Sequence, residues 1–264
     1  MYNHLVKRLY DIKNLCSSYG NKIILNDLSL NIPSGCLVSL IGPNGSGKTT
    51  LLRVLSGLKS YSGSVMLHGH EVKKISRRIF SRMLSFVMSA RYFSPSYPFT
   101  VREIISMGRM PFMNLFSRLT PDDMNTIMNS ASLTGINHLL ERNVMTLSDG
   151  ERQLVLISCG LSQDTEIMLL DEPANSLDPD KSARVYSLLR RLADNGKSII
   201  ASVHDVNISR SYSDYYIALK EGRLISHGDI HELNERILYE LYGVRFKAYH
   251  DSEGNGLMWH ALPE

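Results

Sequence analysis

The chain has 264 residues, of which 43% are hydrophobic and 21% charged, with a formal net charge of +3. That is globular composition, enough for one large domain or two small ones, and it excludes a disordered chain. The mild positive balance, with a pI near 8.7, argues for no nucleic-acid partner, and no window approaches the ~20 apolar residues of a membrane span.

The opening stretch MYNHLVKRLYDIKNL lacks a long apolar core and reads as no signal peptide. Cys16, Cys36 and Cys159 have no metal-ligand spacing. They are expected to be reduced, mostly buried thiols of a cytosolic protein. Residues 9–41 read as strands and turns, punctuated at Tyr19-Gly20, Asn26-Asp27 and Pro33-Ser34-Gly35. A helix then begins in a glycine turn, with Leu51, Leu52, Leu55 and Leu58 on its apolar side and Gly57 near its end.

The middle of the chain reads as helical. Thr100 and Glu103 have capping-box spacing, with Phe99 and Ile104 placed as a hydrophobic staple. Thr120 is the expected cap of a helix with Pro121 and two acids in its first turn, an inward face of Met124, Ile127, Met128 and Ala131, and a stop at Gly135. Ser148 and Glu151 repeat the box. Beyond them, TEIMLLDEP and KSIIASVHD read as buried strands around a helix capped by Asp178. Its inward residues are Val185, Leu188, Leu189 and Leu192. Such alternation predicts an α/β fold with a parallel sheet and crossover helices. Residues 89–147 are expected to form a helical insertion in an α/β core spanning 9–88 and 148–230, with 231–264 as an extension.

The stretch Gly42-Pro43-Asn44-Gly45-Ser46-Gly47-Lys48-Thr49, followed by Thr50, fits G-x-x-x-x-G-K-[ST] between a strand and a helix. Glycines let backbone N–H groups surround phosphate oxygens, and the helix start adds a favourable dipole. Lys48 is placed to reach the β- and γ-phosphates and Thr49 to ligate Mg²⁺. This much defines a nucleoside triphosphate site and no more. Asp171 and Glu172 end an apolar strand, where α/β sheets bind ligands. Asp171 suits Mg²⁺, and Glu172 suits a general base for the attacking water. His204 ends the next strand, where it is either structural or a γ-phosphate contact. Ser148 opens a second anion-type helix start about a hundred residues after the first.

Together these motifs resemble the ATP-binding cassette ATPases. The phosphate loop, LSDGE as a variant of the signature L-S-G-G-Q, IMLLDEP, SLD and SVHD occur in the family's order, over nearly the whole chain. The resemblance implies a P-loop NTPase core with an antiparallel β subdomain and an inserted α-helical subdomain. It also implies a head-to-tail homodimer with ATP between one copy's phosphate loop and the other's signature helix. Tyr19 matches the aromatic that stacks on adenine, and otherwise reads as a turn tyrosine. Ser148 and Gly150 match contacts to the opposing γ-phosphate, Asp178 a coupling residue across the dimer, His204 the switch histidine and Glu172 the catalytic base. FTVREIISMGRMPF, FSRLTPDD, NHLLERNVMTLSDGERQ and the tail LYELYGVRFKAYHDSEG are similar to the ATPases of iron-chelate, haem and cobalamin importers. That implies a separate permease, a substrate-binding protein and a place on the cytoplasmic face of the inner membrane.

The chain departs from the pattern at three positions. Ser89 stands where the family has a metal-sensing glutamine, and could hold a metal-bound water at shorter reach. Asp149 replaces the second signature glycine, and Cys159 a commonly basic residue. The Met-rich stretch SMGRMPFMNLF reads equally as a permease-docking surface or as insertion core. A soluble cassette ATPase, an ordinary phosphate-loop kinase or GTPase, and a cassette that binds nucleotide with weak hydrolysis are the alternatives.

Overall fold

A computed structural model describes residues 7–114, 118–250 and 257–262. These fall into two compact units, Met1–Ile75 with Leu189–Glu264, and Ser76–Leu188. Leu115 and Phe116 of the Met-rich stretch, and Asp251 to Gly254 of the tail motif, lie outside the described residues.

The first unit opens with a long antiparallel pair, β1 (Arg8–Tyr19) and β2 (Lys22–Pro33). Asn26-Asp27, expected as a turn, is a bulge through which β2 continues. The register moves from Ser17↔Leu25 to Leu15↔Leu28, one extra residue on β2. Asn14 and Asp27 take positive φ there, joined by a 2.9 Å bond from the Asn14 amide to the Asp27 carboxylate. Then come β3 (Leu37–Ile41), buried along its whole length, and α1 (Lys48–Leu55). Leu51, Leu52 and Leu55 are buried as expected. Leu58 is 67% exposed, because the helix stops at Leu55 and Gly57, at φ +68, turns the chain away. Strands β4 (Ser62–Leu67) and β5 (His70–Glu71) complete an antiparallel sheet of order β2-β1-β4-β5.

The chain then builds the second unit: α2 (Arg77–Met83), β6 (Leu84–Val87), α3 (Val101–Ser106), α4 (Pro121–Thr134), α5 (Asp149–Ser162) and β7 (Ile167–Leu170). Strands β6 and β7 pair in parallel from Leu84↔Ile167 to Val87↔Leu170. All three helices of this unit's bundle start with capping boxes, Thr100 with Glu103, Thr120 with Asp123 and Ser148 with Glu151. Each box satisfies two otherwise orphaned N–H groups, and losing such a cap costs about 1 kcal/mol. Helix α4 ends at Gly135 in the left-handed conformation. Helix α6 (Pro179–Asp194) follows, with Val185, Leu188 and Leu189 buried and Leu192 half-buried.

Back in the first unit come β8 (Ser198–Ser202), α7 (Val206–Tyr212), β9 (Tyr215–Lys220), β10 (Arg223–Asp229), α8 (Glu235–Tyr242) and the antiparallel hairpin β11 (Phe246–His250) and β12 (Leu257–Ala261). Here the strands lie in the order β10-β9-β3-β8, with β3 parallel to both β8 and β9. Strands β3 and β8 are fully buried, as central parallel strands must be. Helix α8 and the hairpin pack onto Ile41 at the end of β3 and Val206 at the start of α7, with Trp259 buried among them. The three cysteines are free thiols, half-buried rather than buried, since Cys16 lies at the bulge and Cys36 just before β3.

Candidate functional site

In the first unit, the phosphate loop leaves the buried end of β3 and enters α1 at Lys48. Gly42 sits at φ +149, and a Cβ there would lie 2.1 Å from the Leu219 carbonyl oxygen. Only glycine lets the loop run this close to β9. Gly47 caps α1 with no side-chain hydrogen bond, and no acid stands in the first turn. The helix start is therefore open to an anion. Lys48 is 6% exposed and donates to the Gly42 carbonyl at 2.7 Å and the Pro43 carbonyl at 3.1 Å, so its ammonium lies along the loop. The Ser46 hydroxyl is buried with no hydrogen-bond partner among the described residues. Pro43 and Thr49 are half-buried, Asn44 and Gly45 exposed and Thr50 buried. This is a cradle for phosphate oxygens built from backbone, one ammonium and hydroxyls.

Two further predicted residues belong to this unit. Tyr19 ends β1 and is 44% exposed. Arg53 of α1 donates to its hydroxyl at 3.2 Å, and the Lys59 ammonium lies 3.7 Å from its ring centroid. Tyr19 is thus an aromatic face tied to the loop's helix and backed by a cation. His204 lies two residues beyond β8 and is exposed. It precedes Asp205, whose carboxylate caps α7 by accepting from Asn207 N at 2.8 Å. The Asn207 side chain in turn brackets the Trp259 backbone, with bonds of 2.6 and 3.1 Å. Tyr242 of α8 is half-buried with its hydroxyl buried near Gly42, and burial pushes its pKa up to about 12.

In the second unit, Asp171 and Glu172 follow β7 directly and are 1% and 7% exposed. The Asp171 N–H donates to the Val87 carbonyl at 2.8 Å, which fixes the strand end. Glu172 takes φ +51, a strained conformation for a non-glycine residue that the surroundings must hold. Its carboxylate accepts from Arg91 at 3.1 Å and from the Asn175 amide at 2.8 Å. Ser89 is 2% exposed and precedes a tight turn over Ala90–Tyr92.

The signature segment lies in the same unit. The Ser148 backbone and hydroxyl both donate to Glu151, at 2.8 and 2.9 Å, holding that carboxyl below its usual range. Asp149, a charge at the helix start, is paired with Arg152 one turn on, which offsets it. A Cβ on Gly150 would meet the Ser176 carbonyl oxygen at 2.8 Å, so this glycine seats α5 against the loop leading to Asp178. Asp178 accepts from Lys181 N at 2.9 Å as the cap of α6; that N–H, with the Lys181 ammonium, holds its carboxyl low.

A glycine cradle between a parallel strand and a helix, with two buried acids after another strand of parallel pairing, defines a phosphate-loop NTPase. It carries an antiparallel β subdomain and an inserted helical subdomain. Residues 25–175 match the ABC transporter family. Relatives span nearly the full length. The petrobactin import ATP-binding protein YclP of Bacillus subtilis is 34% identical, over 89% of this chain and 93% of its own. The iron(3+)-hydroxamate import ATP-binding protein FhuC of the same organism is 35% identical, over 90% and 88%. The ferric enterobactin transport ATP-binding protein FepC of Escherichia coli is 34% identical, over 88% and 86%. The chain belongs to the ABC transporter family, and it binds and hydrolyses ATP. Among solved structures, a proposed metal-chelate type ABC transporter in an inward-facing conformation has the same fold, with a TM-score of 0.82, 24% identity and 98% of each chain covered.

Residues that the sequence reading missed are Arg91, Asn175 and Gln153. Gln153 is 1% exposed and accepts from Ala90 N at 2.7 Å. Gln153 ends the LSDGERQ stretch and Asn175 directly precedes SLD, but nothing in either stretch names the contact it makes. For Arg91 the signal was position, two residues after Ser89.

Proposed function

We propose that this chain is the ATP-hydrolysing subunit of an importer for an iron chelate, haem or cobalamin, acting at the cytoplasmic face of the membrane with a separate permease and a substrate-binding protein. The observation that carries the substrate class is the set of near full-length relatives named for petrobactin, iron(3+)-hydroxamate and ferric enterobactin. No helix among the described residues is long and apolar enough to cross a membrane, so this reading assigns the spanning to another chain.

In this reading Tyr19 stacks on adenine and the segment from Gly42 to Thr50 wraps the phosphates. Thr49 and Asp171 would hold Mg²⁺, and Ser89 would hold a water bound to it. The donors suit that ion: they are hard oxygens, and no group of three or more His, Cys, Asp or Glu side chains among the described residues makes an all-protein cage. When bound, Mg²⁺ supplies charge neutralisation on the phosphates. Glu172 accepts a proton from the attacking water and His204 contacts the γ-phosphate. Two copies pair head to tail, so that Ser148 and Gly150 of one face the nucleotide of the other and Asp178 couples the two sites. Moving such a pair from 1:99 to 99:1 closed takes about 5.5 kcal/mol of differential binding. Charge-assisted contacts to two nucleotides supply that scale. Glu172→Gln should trap an ATP-bound dimer in size-exclusion chromatography with light scattering. A monomer at saturating MgATP sinks the dimer mechanism.

Permease docking is assigned to the exposed edge of residues 107–113. Met110 is 65% exposed, Met107 37% and Phe112 36%. Arg109 is no docking charge, because it is tied to Asp123 at 2.8 Å and to the Ser162 carbonyl at 2.9 Å. Isolation of the protein from native membranes, with identification of the co-purifying permease, tests both partner and substrate class.

A further inference from the structure

The geometry points to Arg91 as the positioning residue for Glu172, linking the general base to the signature helix. The inference rests on the reading of Glu172 as that base. Three observations within the second unit carry it. First, the Arg91 guanidinium lies 3.1 Å from each carboxylate oxygen of Glu172, across 81 residues of sequence. Second, the Asn175 amide holds Oε2 at 2.8 Å. A carboxylate offers about four lone-pair sites. These contacts restrain both oxygens. Third, the turn that presents Arg91 is itself pinned. The Ala90 N–H donates to the side-chain oxygen of Gln153, on the helix that begins at Ser148, at 2.7 Å. The guanidinium also stacks on Tyr92, 4.7 Å from the ring centroid.

A glutamate side chain otherwise samples several rotamers, and a base that wanders loses rate rather than affinity. Glu172 also sits on strained backbone, at φ +51, so its direction depends on side-chain restraint. Ser89, buried just before the same turn, has a short side chain with a single hydroxyl. Arg91, two residues on, reaches the carboxylate with one nitrogen, Nη2, set between its two oxygens. Movement of the signature helix then reaches the base through Gln153, Ala90 and Arg91.

The Arg91 side chain is 45% exposed, so shortening it opens no cavity and the variant keeps its fold. The test is steady-state ATP hydrolysis by the full chain as wild type, Arg91→Ala, Arg91→Lys, Glu172→Gln and Arg91→Ala/Glu172→Gln. Arg91→Ala should lower kcat about tenfold or more with KM for MgATP and melting temperature unchanged. Arg91→Lys should recover part of the loss, since an ammonium restores the charge on a shorter, more flexible stem. The double variant should be no slower than Glu172→Gln alone, because a residue acting only through the base has no effect once the base is gone. Wild-type or faster turnover in Arg91→Ala, or an equal further loss on the Glu172→Gln background, overturns the inference and leaves the base reading standing. Full activity of Glu172→Gln overturns the base reading, and the inference with it.

Discussion

Asp123 offers a stability test that runs from one carboxylate to a whole unit. It accepts from the Thr120 backbone at 3.0 Å and hydroxyl at 2.7 Å, and from Arg109 at 2.8 Å. Led by the Thr120 N–H, these contacts lower its pKa from 3.8 to about 2. Its side chain is 12% exposed, so solvent screening is modest. At about 1.36 kcal/mol per pH unit, the charged form contributes roughly 2.4 kcal/mol at neutral pH. Asp123→Asn removes the charge but keeps an acceptor for Thr120, so the expected loss is about 1.5 to 2 kcal/mol. A folded-state pKa below the unfolded one stabilises above the unfolded value and is lost as pH falls through the folded one. The difference between wild type and variant should therefore be full at pH 7 and about half by pH 3. Urea unfolding, followed by circular dichroism at a series of pH values, measures it. A difference under about 0.5 kcal/mol at pH 7, or one that stays constant down to pH 3, refutes the reasoning.

Four other outcomes follow from this and other contacts. Gly42→Ala drives a Cβ toward the Leu219 carbonyl oxygen, 2.1 Å away, so fluorescent-nucleotide titration should show affinity falling about tenfold or more. Arg109→Glu leaves Asp123 facing a like charge and should cost about 3 kcal/mol or more in unfolding, whereas Met110→Glu, at a 65% exposed site, should stay within about 0.5 kcal/mol yet weaken capture of the permease. Burial holds Cys36 up at about 12 and Cys159 at about 11, so iodoacetamide at pH 8 should label both slowly in the native protein and fast in urea.

The phosphate loop, the capping boxes at Thr100 and Ser148 and the acids after β7 were legible because each is a local device, set by spacing within a few residues. Leu58 shows where periodicity fails. An apolar residue in phase with α1 lies outside it because Gly57 breaks the helix first. Asn26-Asp27 shows the same limit for turn signals, since pairing with β1 across the bulge outweighs the local preference of two turn-forming residues. The charge of Asp149 was visible in the sequence, and so was Arg152 three residues on. Their pairing needed only the helix period.

By itself the sequence determined that this is a phosphate-loop cassette, with a glycine turn before α1 and two acids after β7, because glycines, caps and strand-end acids act over one or two turns of chain. Only the tertiary structure decided what surrounds those acids. Arg91 on Glu172, Gln153 on Ala90, and Gly150 against Ser176 are contacts between segments that no local pattern relates, while Asn175 reaches Glu172 from only three residues on. The contacts of Arg91 and Ala90 exist because α5 and the end of β7 lie against the turn after β6, and a distant partner is set by that packing rather than by neighbours in the chain.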